Sequence, residues 1–182
     1  IQKKYPYIPL ILDAKRADIG NTNNGYVSYA FDYLKVDAIT VHPYLGAEAL
    51  KPFLDQRDKG IIVLCRTSNE GAGEYQDLQV KGNKLYMHVA KEVTNSWNKN
   101  KNCLLVVGAT YPKEMKQIRA IVGEMTFLVP GIGAQGGDVE ASVTAGKNSK
   151  GMGMIISASR SILYSKNPRL EAMKLRDQIN WY

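Results

Sequence analysis

Six short runs rich in β-branched and apolar residues set the main constraint on this chain: Ile8–Asp13 (IPLILD), Ala38–His42 (AITVH), Gly60–Cys65 (GIIVLC), Cys103–Val107 (CLLVV), Thr126–Val129 (TFLV) and Met152–Ser157 (MGMIIS). Most are apolar throughout instead of alternating, which is the pattern of strands buried on both faces in a parallel sheet. Their starts recur after 30, 22, 43, 23 and 26 residues, the length of one strand plus one helix. The intervening stretches carry helical stripes: Asn23–Leu34 (Tyr26, Ala30, Tyr33, Leu34), Leu45–Leu54, Tyr86–Trp97, Pro112–Val122 with its proline in the first turn, a short Val139–Ala145, and a long Arg160–Ile179. A repeated strand-helix unit predicts an α/β fold, either a doubly wound sheet or a (β/α)8 barrel. No G-x-G-x-x-G follows the first strand, which weakens a dinucleotide-binding sheet.

The rest of the composition narrows the class. A chain of 182 residues with 45% hydrophobic and 23% charged residues fits one ordinary globular domain, neither disordered nor fibrous. Cys65 and Cys103 sit inside apolar runs and read as reduced core thiols, as in a cytoplasmic protein. No apolar run approaches the roughly 18 residues of a membrane helix, and IQKKYPYIPL does not read as a signal peptide. The net charge is +7, but the basic residues are scattered, with one local run at 98–102. That suits a small phosphorylated ligand better than nucleic acid.

The residues with chemistry stand just past the strands, where both architectures place their sites. After the first strand comes Asp13-Ala14-Lys15-Arg16-Ala17-Asp18-Ile19-Gly20-Asn21-Thr22. Asp13 and Lys15 are two apart on a strand and share a face, and Asp18 follows where a loop can turn back. Carboxylates beside a lysine favour the ammonium form, which can donate a proton to a reacting carbon. A lone D-x-K also describes an ordinary surface ion pair; the apolar strand before it and the Gly-Asn-Thr after it favour a site. Val129-Pro130-Gly131-Ile132-Gly133-Ala134-Gln135-Gly136-Gly137-Asp138 has the glycines of an anion-binding nest, or of a plain turn. Arg160, after Ser157-Ala158-Ser159, opens a helix, where a cation is poorly placed unless it clamps an anion. Arg66-Thr67-Ser68-Asn69 at a third exit offers amide and hydroxyl groups to a ring edge, and polar turn chemistry explains it equally well. The connection over 69–83 is long enough to be a flap. His42, His88, Trp97 and Trp181 read as structural, and nothing has zinc or Ser-His-Asp spacing.

D-A-K-R-A-D-I-G-N-T closely resembles the active-site signature of the orotidine 5′-phosphate decarboxylase family. H-P-Y-L-G, R-T-S-N, V-V-G-A-T-Y-P, L-V-P-G-I-G-A-Q-G-G-D and S-A-S-R-S-I-L-Y resemble its later strand ends, in the same order and over essentially the whole chain. D-x-K-x-x-D alone is shared with sugar-phosphate decarboxylases and synthases of the same barrel superfamily, which remain an alternative, as does a non-catalytic nucleotide-binding relative. The resemblance implies a (β/α)8 barrel and conversion of orotidylate to UMP and carbon dioxide in pyrimidine biosynthesis, with no cofactor and no metal. By the same resemblance, Lys15 protonates carbon 6, and Asp13 orients it beside the departing carboxylate. Asp18 and Thr22 cross a homodimer interface to the neighbour's site, and Ile19, like Thr22, binds the substrate. Ser68 bonds the pyrimidine edge and Pro130 lines the pocket. Gln135 and Arg160 hold the phosphate with amides near Gly136 and Ser159. The family also carries an aspartate after its first barrel strand and a lysine after its second. Here Ile8–Asp13 matches the family's third strand, so residues 1–182 read as one barrel domain lacking its first two β-α units. A complete barrel takes about 250 residues. The expectation is that the isolated chain leaves two strand edges open and does not decarboxylate at a useful rate.

Overall fold

The computed structural model describes residues 1–133 and 136–182. Its elements are β1 (Ile11–Arg16), α1 (Gly20–Val27) running into a π-helical turn (Ser28–Tyr33), β2 (Ala38–Val41), α2 (Gly46–Leu54) and β3 (Gly60–Arg66). Then follow α3 (Gly73–Gln76), the two-residue strands β4 (Gln79–Val80) and β5 (Asn83–Lys84), α4 (Leu85–Glu92), β6 (Cys103–Val107) and α5 (Pro112–Val122). The last are β7 (Phe127–Pro130), α6 (Val139–Gly146), β8 (Met154–Ser157), α7 (Arg160–Leu163) and α8 (Pro168–Trp181). The main strands are ordered β1-β2-β3-β6-β7-β8, and β4 and β5 form a separate antiparallel pair. Each main strand follows its predecessor in sequence order, without the reversal that marks a doubly wound sheet.

Two compact units divide the chain. One holds residues 1–64 and 91–105, the other 65–90 and 106–182. In the first, β1, β2 and β3 pair in parallel, and the Ile61 amide donates to Asn102 O at 2.9 Å beside β6. Ile39, Val41, Leu50, Phe53, Ile61 and Leu105 are completely buried and form its core. In the second, β7 and β8 pair in parallel, and Tyr86, Val107, Met115, Ile118 and Phe127 lie inside. Arg119 ties this core together: its guanidinium lies 3.8 Å over the Phe127 ring and donates to the carbonyls of Gly123, Met125, Gly146 and Gly153. Burial pulls its pKa down to about 10, which leaves it charged at neutral pH.

Several boundaries differ from expectation for local reasons. β1 begins three residues late, because Pro9 has no amide to give a ladder. β1 is also only half-buried, since it ends the strand order and has a neighbour on one side. The helix expected over 23–34 starts at Gly20 and widens, so Ala30 and Phe31 turn inward while Tyr33 is exposed and stacks on Tyr29 at 5.7 Å. The helix expected over 160–179 is broken: Asn167 accepts the Leu170 amide at 3.1 Å and Pro168 opens a new helix. The stretch 69–83 is not a bare flap, since it holds α3 and the β4–β5 hairpin. Met152 falls outside β8, in a turn where Asn148 Oδ1 accepts the Lys150 and Met152 amides at 3.0 Å. Among the described residues no helix is long and apolar enough to cross a membrane.

Both cysteines are free and buried, as read. The Cys65 thiol donates to Tyr86 O at 3.3 Å, and burial pushes its pKa up to about 12 and that of Cys103 up to about 11. Thiolate is therefore scarce throughout pH 7–9, where an exposed thiol of pKa about 8.5 ionises. Labelling of the native protein with a thiol reagent should stay slow and nearly flat over that range, and denaturation should release both thiols. A steep rise with pH in the native state would contradict this burial.

Candidate active site

In the first unit the site is built on the end of β1, and the strand is not regular there. Between the pairs Leu12↔Ile39 and Arg16↔Val41 the register shifts, so β1 carries extra residues, and Lys15 takes a left-handed φ of 49°. A bulge with a positive φ at a long side chain is an uncommon, re-aimed backbone of the kind found beside sites. The bulge is held by Thr40 of β2. This fully buried hydroxyl accepts the Lys15 amide at 2.9 Å and donates to Asp13 Oδ1 at 2.8 Å. Lys15 Nζ then meets the same Asp13 oxygen at 2.6 Å. Both charged side chains are about half-exposed. Such a pair adds little stability.

Asp18 does not turn back onto Lys15 within the chain, contrary to the expectation of a closed Asp-Lys-Asp cluster. Its carboxylate accepts the Ile19 amide at 2.7 Å, and among the described residues it forms no ion pair. The reason is Asn23, which fixes the loop from inside. Its Oδ1 accepts the Asp18 amide at 2.8 Å, and its Nδ2 donates to the carbonyls of Asp18 and Ala49. Asn23 has no exposed surface. Ile19 and Thr22 are left exposed on the outside of that turn.

In the second unit, the ends of β3, β7 and β8 carry the other candidates. Pro130 pairs in register with Ser157, and its carbonyl accepts the Ala109 amide at 2.9 Å. The glycine loop then folds back, with Gly137 N on Gly131 O at 3.0 Å. A Cβ on Gly137 would stand 2.6 Å from Gly131 O and 2.7 Å from Ala109 Cβ, so this position admits only glycine. The Gly136 amide donates to Gly133 O at 2.8 Å. Gln135 lies outside the described residues. Gly133 lies near the start of α7: a Cβ on it would be 3.4 Å from Ser161 Oγ, one residue past Arg160. Ser159 precedes α7, where its carbonyl accepts the Ile162 and Leu163 amides at 3.1 and 2.8 Å. Arg160 is exposed and, among the described residues, has no ion-pair partner. Asp138 caps α6, accepting the Ala141 amide at 2.7 Å. Ser68, at the β3 exit, has its carbonyl held by Thr110 Oγ1 at 3.3 Å.

Sequence reasoning missed Thr40 and Asn23, and named Arg66 only as the start of a strand-exit motif. Each is a buried polar residue inside an apolar or turn pattern, and that incongruity was the available signal. Asn23→Ala should lower stability by about 2 kcal/mol, since it strips partners from backbone groups beneath Asp18. Chemical denaturation checks this, and an unchanged midpoint would contradict the role given to Asn23.

The family model described as "Orotidine 5'-phosphate decarboxylase / HUMPS family" matches residues 1–175. The chain is 54% identical to the orotidine 5′-phosphate decarboxylase of Cellvibrio japonicus over 187 residues, covering 99% of this chain and 68% of that protein. Among solved structures it is similar to Leishmania donovani UMP synthase, with TM-score 0.93 and 46% identity over 95% of this chain and 39% of the other. It is likewise similar to Leishmania donovani OMP decarboxylase, with TM-score 0.92 and 43% identity over 96% and 68%. The alternating strands and helices thus follow the barrel architecture of these neighbours over the length they share.

Proposed function

The chain belongs to the orotidine 5′-phosphate decarboxylase family, a family of carboxy-lyases, and from that premise we propose that its strand ends convert orotidylate to UMP and carbon dioxide. The observation that carries the reading is Lys15 Nζ held 2.6 Å from Asp13, on a bulge clamped by the buried Thr40 hydroxyl. An ammonium held in one place delivers its proton to carbon 6 as the carboxylate leaves. Asp13 keeps it aimed and, as a fixed negative charge, opposes the substrate carboxylate more than the product. The exposed Arg160 and the glycine loop near Ser161 take the phosphate. Binding energy gathered there contributes to orientation at the distant reacting carbon. Ser68 reads the pyrimidine edge and Pro130 packs beside the ring.

Pyrimidine biosynthesis in the cytoplasm suits two deeply buried free thiols. The reading of residues 1–182 as one barrel domain belongs to the same proposal. The chain spans 68% of its Cellvibrio relative, so the assay uses the full coding length. Orotidylate absorbance should fall with the parent protein, and Lys15→Ala should lower kcat by at least about a hundredfold. Turnover at the parent rate would remove Lys15 from the mechanism. Processing of hexulose phosphates without orotidylate turnover would favour the sugar-phosphate branch.

We further propose a homodimer in which Asp18 and Thr22 serve the partner's site. Support comes from Asp18 turning away from its own Lys15 and from exposed Ile19, Tyr29, Tyr33 and Tyr44 in the same unit. Mixing inactive Lys15→Ala with inactive Asp18→Ala after subunit exchange should restore about a quarter of parental activity, because half the dimers then carry one intact site. No recovery despite exchange would place both residues in one subunit's site.

A further inference from the structure

Arg66 is 2% exposed at the end of β3, a position where an aliphatic side chain would pack without the cost of burying a charge. That cost is offset by specific partners. The guanidinium lies 3.9 Å over the Tyr111 ring, meets Asp77 Oδ2 at 3.3 Å and Gln76 Oε1 at 3.2 Å, and donates to Thr67 O at 3.4 Å. Lys84 joins Asp77 at 3.3 Å from the β4–β5 hairpin. The cation therefore pins the segment after β3 back onto the strand.

Gln76 is the working end of this arrangement. Its Oε1 accepts the Thr67 amide at 2.9 Å as well as Arg66, and its Nε2 donates to Thr67 Oγ1 at 2.8 Å. The Thr67 hydroxyl in turn donates to Asn69 Oδ1 at 2.7 Å. With both faces of the amide spoken for, its orientation is fixed. The next residue is Ser68. On its other side Gly108 approaches so closely that a Cβ there would lie 2.7 Å from Ser68 Cβ and 2.8 Å from its backbone nitrogen. Gly108 is itself tied to Arg66 O at 2.7 Å, and Thr110 holds Ser68 O. Ser68 is thus gripped from before and from behind by groups that contact no expected ligand.

We propose that Gln76, oriented by Arg66, is a positioning residue that sets where the Ser68 hydroxyl stands toward the pyrimidine. The proposal rests on the decarboxylase reading for the role of Ser68, but not for the grip itself. Two readouts separate them. Amide exchange at Thr67 should rise roughly tenfold in Gln76→Ala while the core stays protected. Unchanged protection would overturn the positioning role whatever the protein catalyses. In turnover, Gln76→Ala and Ser68→Ala should each lower kcat/KM about tenfold, and the double variant should lose no more than Ser68→Ala alone. Gln76→Glu, which keeps the acceptor for Thr67 N and Arg66, should restore activity to within about threefold of the parent. A double-variant loss equal to the product of the single losses, or parental kcat/KM in Gln76→Ala, would overturn the proposal. Should Gln76→Ala fail to fold, Thr67→Val removes only the hydroxyl end of the bracket and goes through the same cycle with the same criteria. An inactive parent would sink the decarboxylase reading, and the exchange measurement would then decide the grip alone.

Discussion

The Thr40 hydroxyl, sealed between two parallel strands, accepts the Lys15 amide and donates to the Asp13 carboxylate. A bulged strand leaves an amide without a ladder partner, and a buried amide without one is costly. Thr40 removes that cost and in doing so fixes the backbone at a left-handed lysine. The charged pair itself faces solvent and holds little stability. Its geometry comes from the apolar strand beneath it, and the single buried oxygen transmits the rigidity of that strand to the Asp13–Lys15 pair.

The second unit solves the same problem differently. The exits of β3 and β7 are held by close backbone approach at Gly108 and Gly137, where no Cβ fits, and the β3 exit also by the buried Arg66 guanidinium. Arg119 collects loose carbonyls from the turn after α5, the end of α6 and the residue before β8, while Arg66 collects the segment after β3. Both lie against aromatic faces. Arginine suits this use because its planar fork satisfies several acceptors at once.

Runs with one dominant signal were readable almost to the residue. β6 follows from the unbroken CLLVV, and α5 from Pro112 at its start and the apolar stripe ending at Val122. Errors arose where a second signal competed with periodicity. Pro9 delayed β1, the wider turn after Val27 displaced the tyrosine stripe, and Asn167-Pro168 restarted a helix that looked continuous. For the site, the order of strand-end motifs identified the family and the residues to inspect. The groups that hold those residues stayed hidden. Thr40, Asn23 and Gln76 act through partners 25, 26 and nine positions away, which no local pattern reports.

Exchange of the carbon-6 proton of UMP in heavy water tests the central claim most directly, since the group that protonates carbon 6 in the forward reaction must remove that proton in reverse. Followed by proton magnetic resonance with the full coding length of the protein, the signal should fade in the presence of the parent and persist with Lys15→Ala. Exchange that proceeds equally with Lys15→Ala would contradict the assignment of Lys15 as the proton donor.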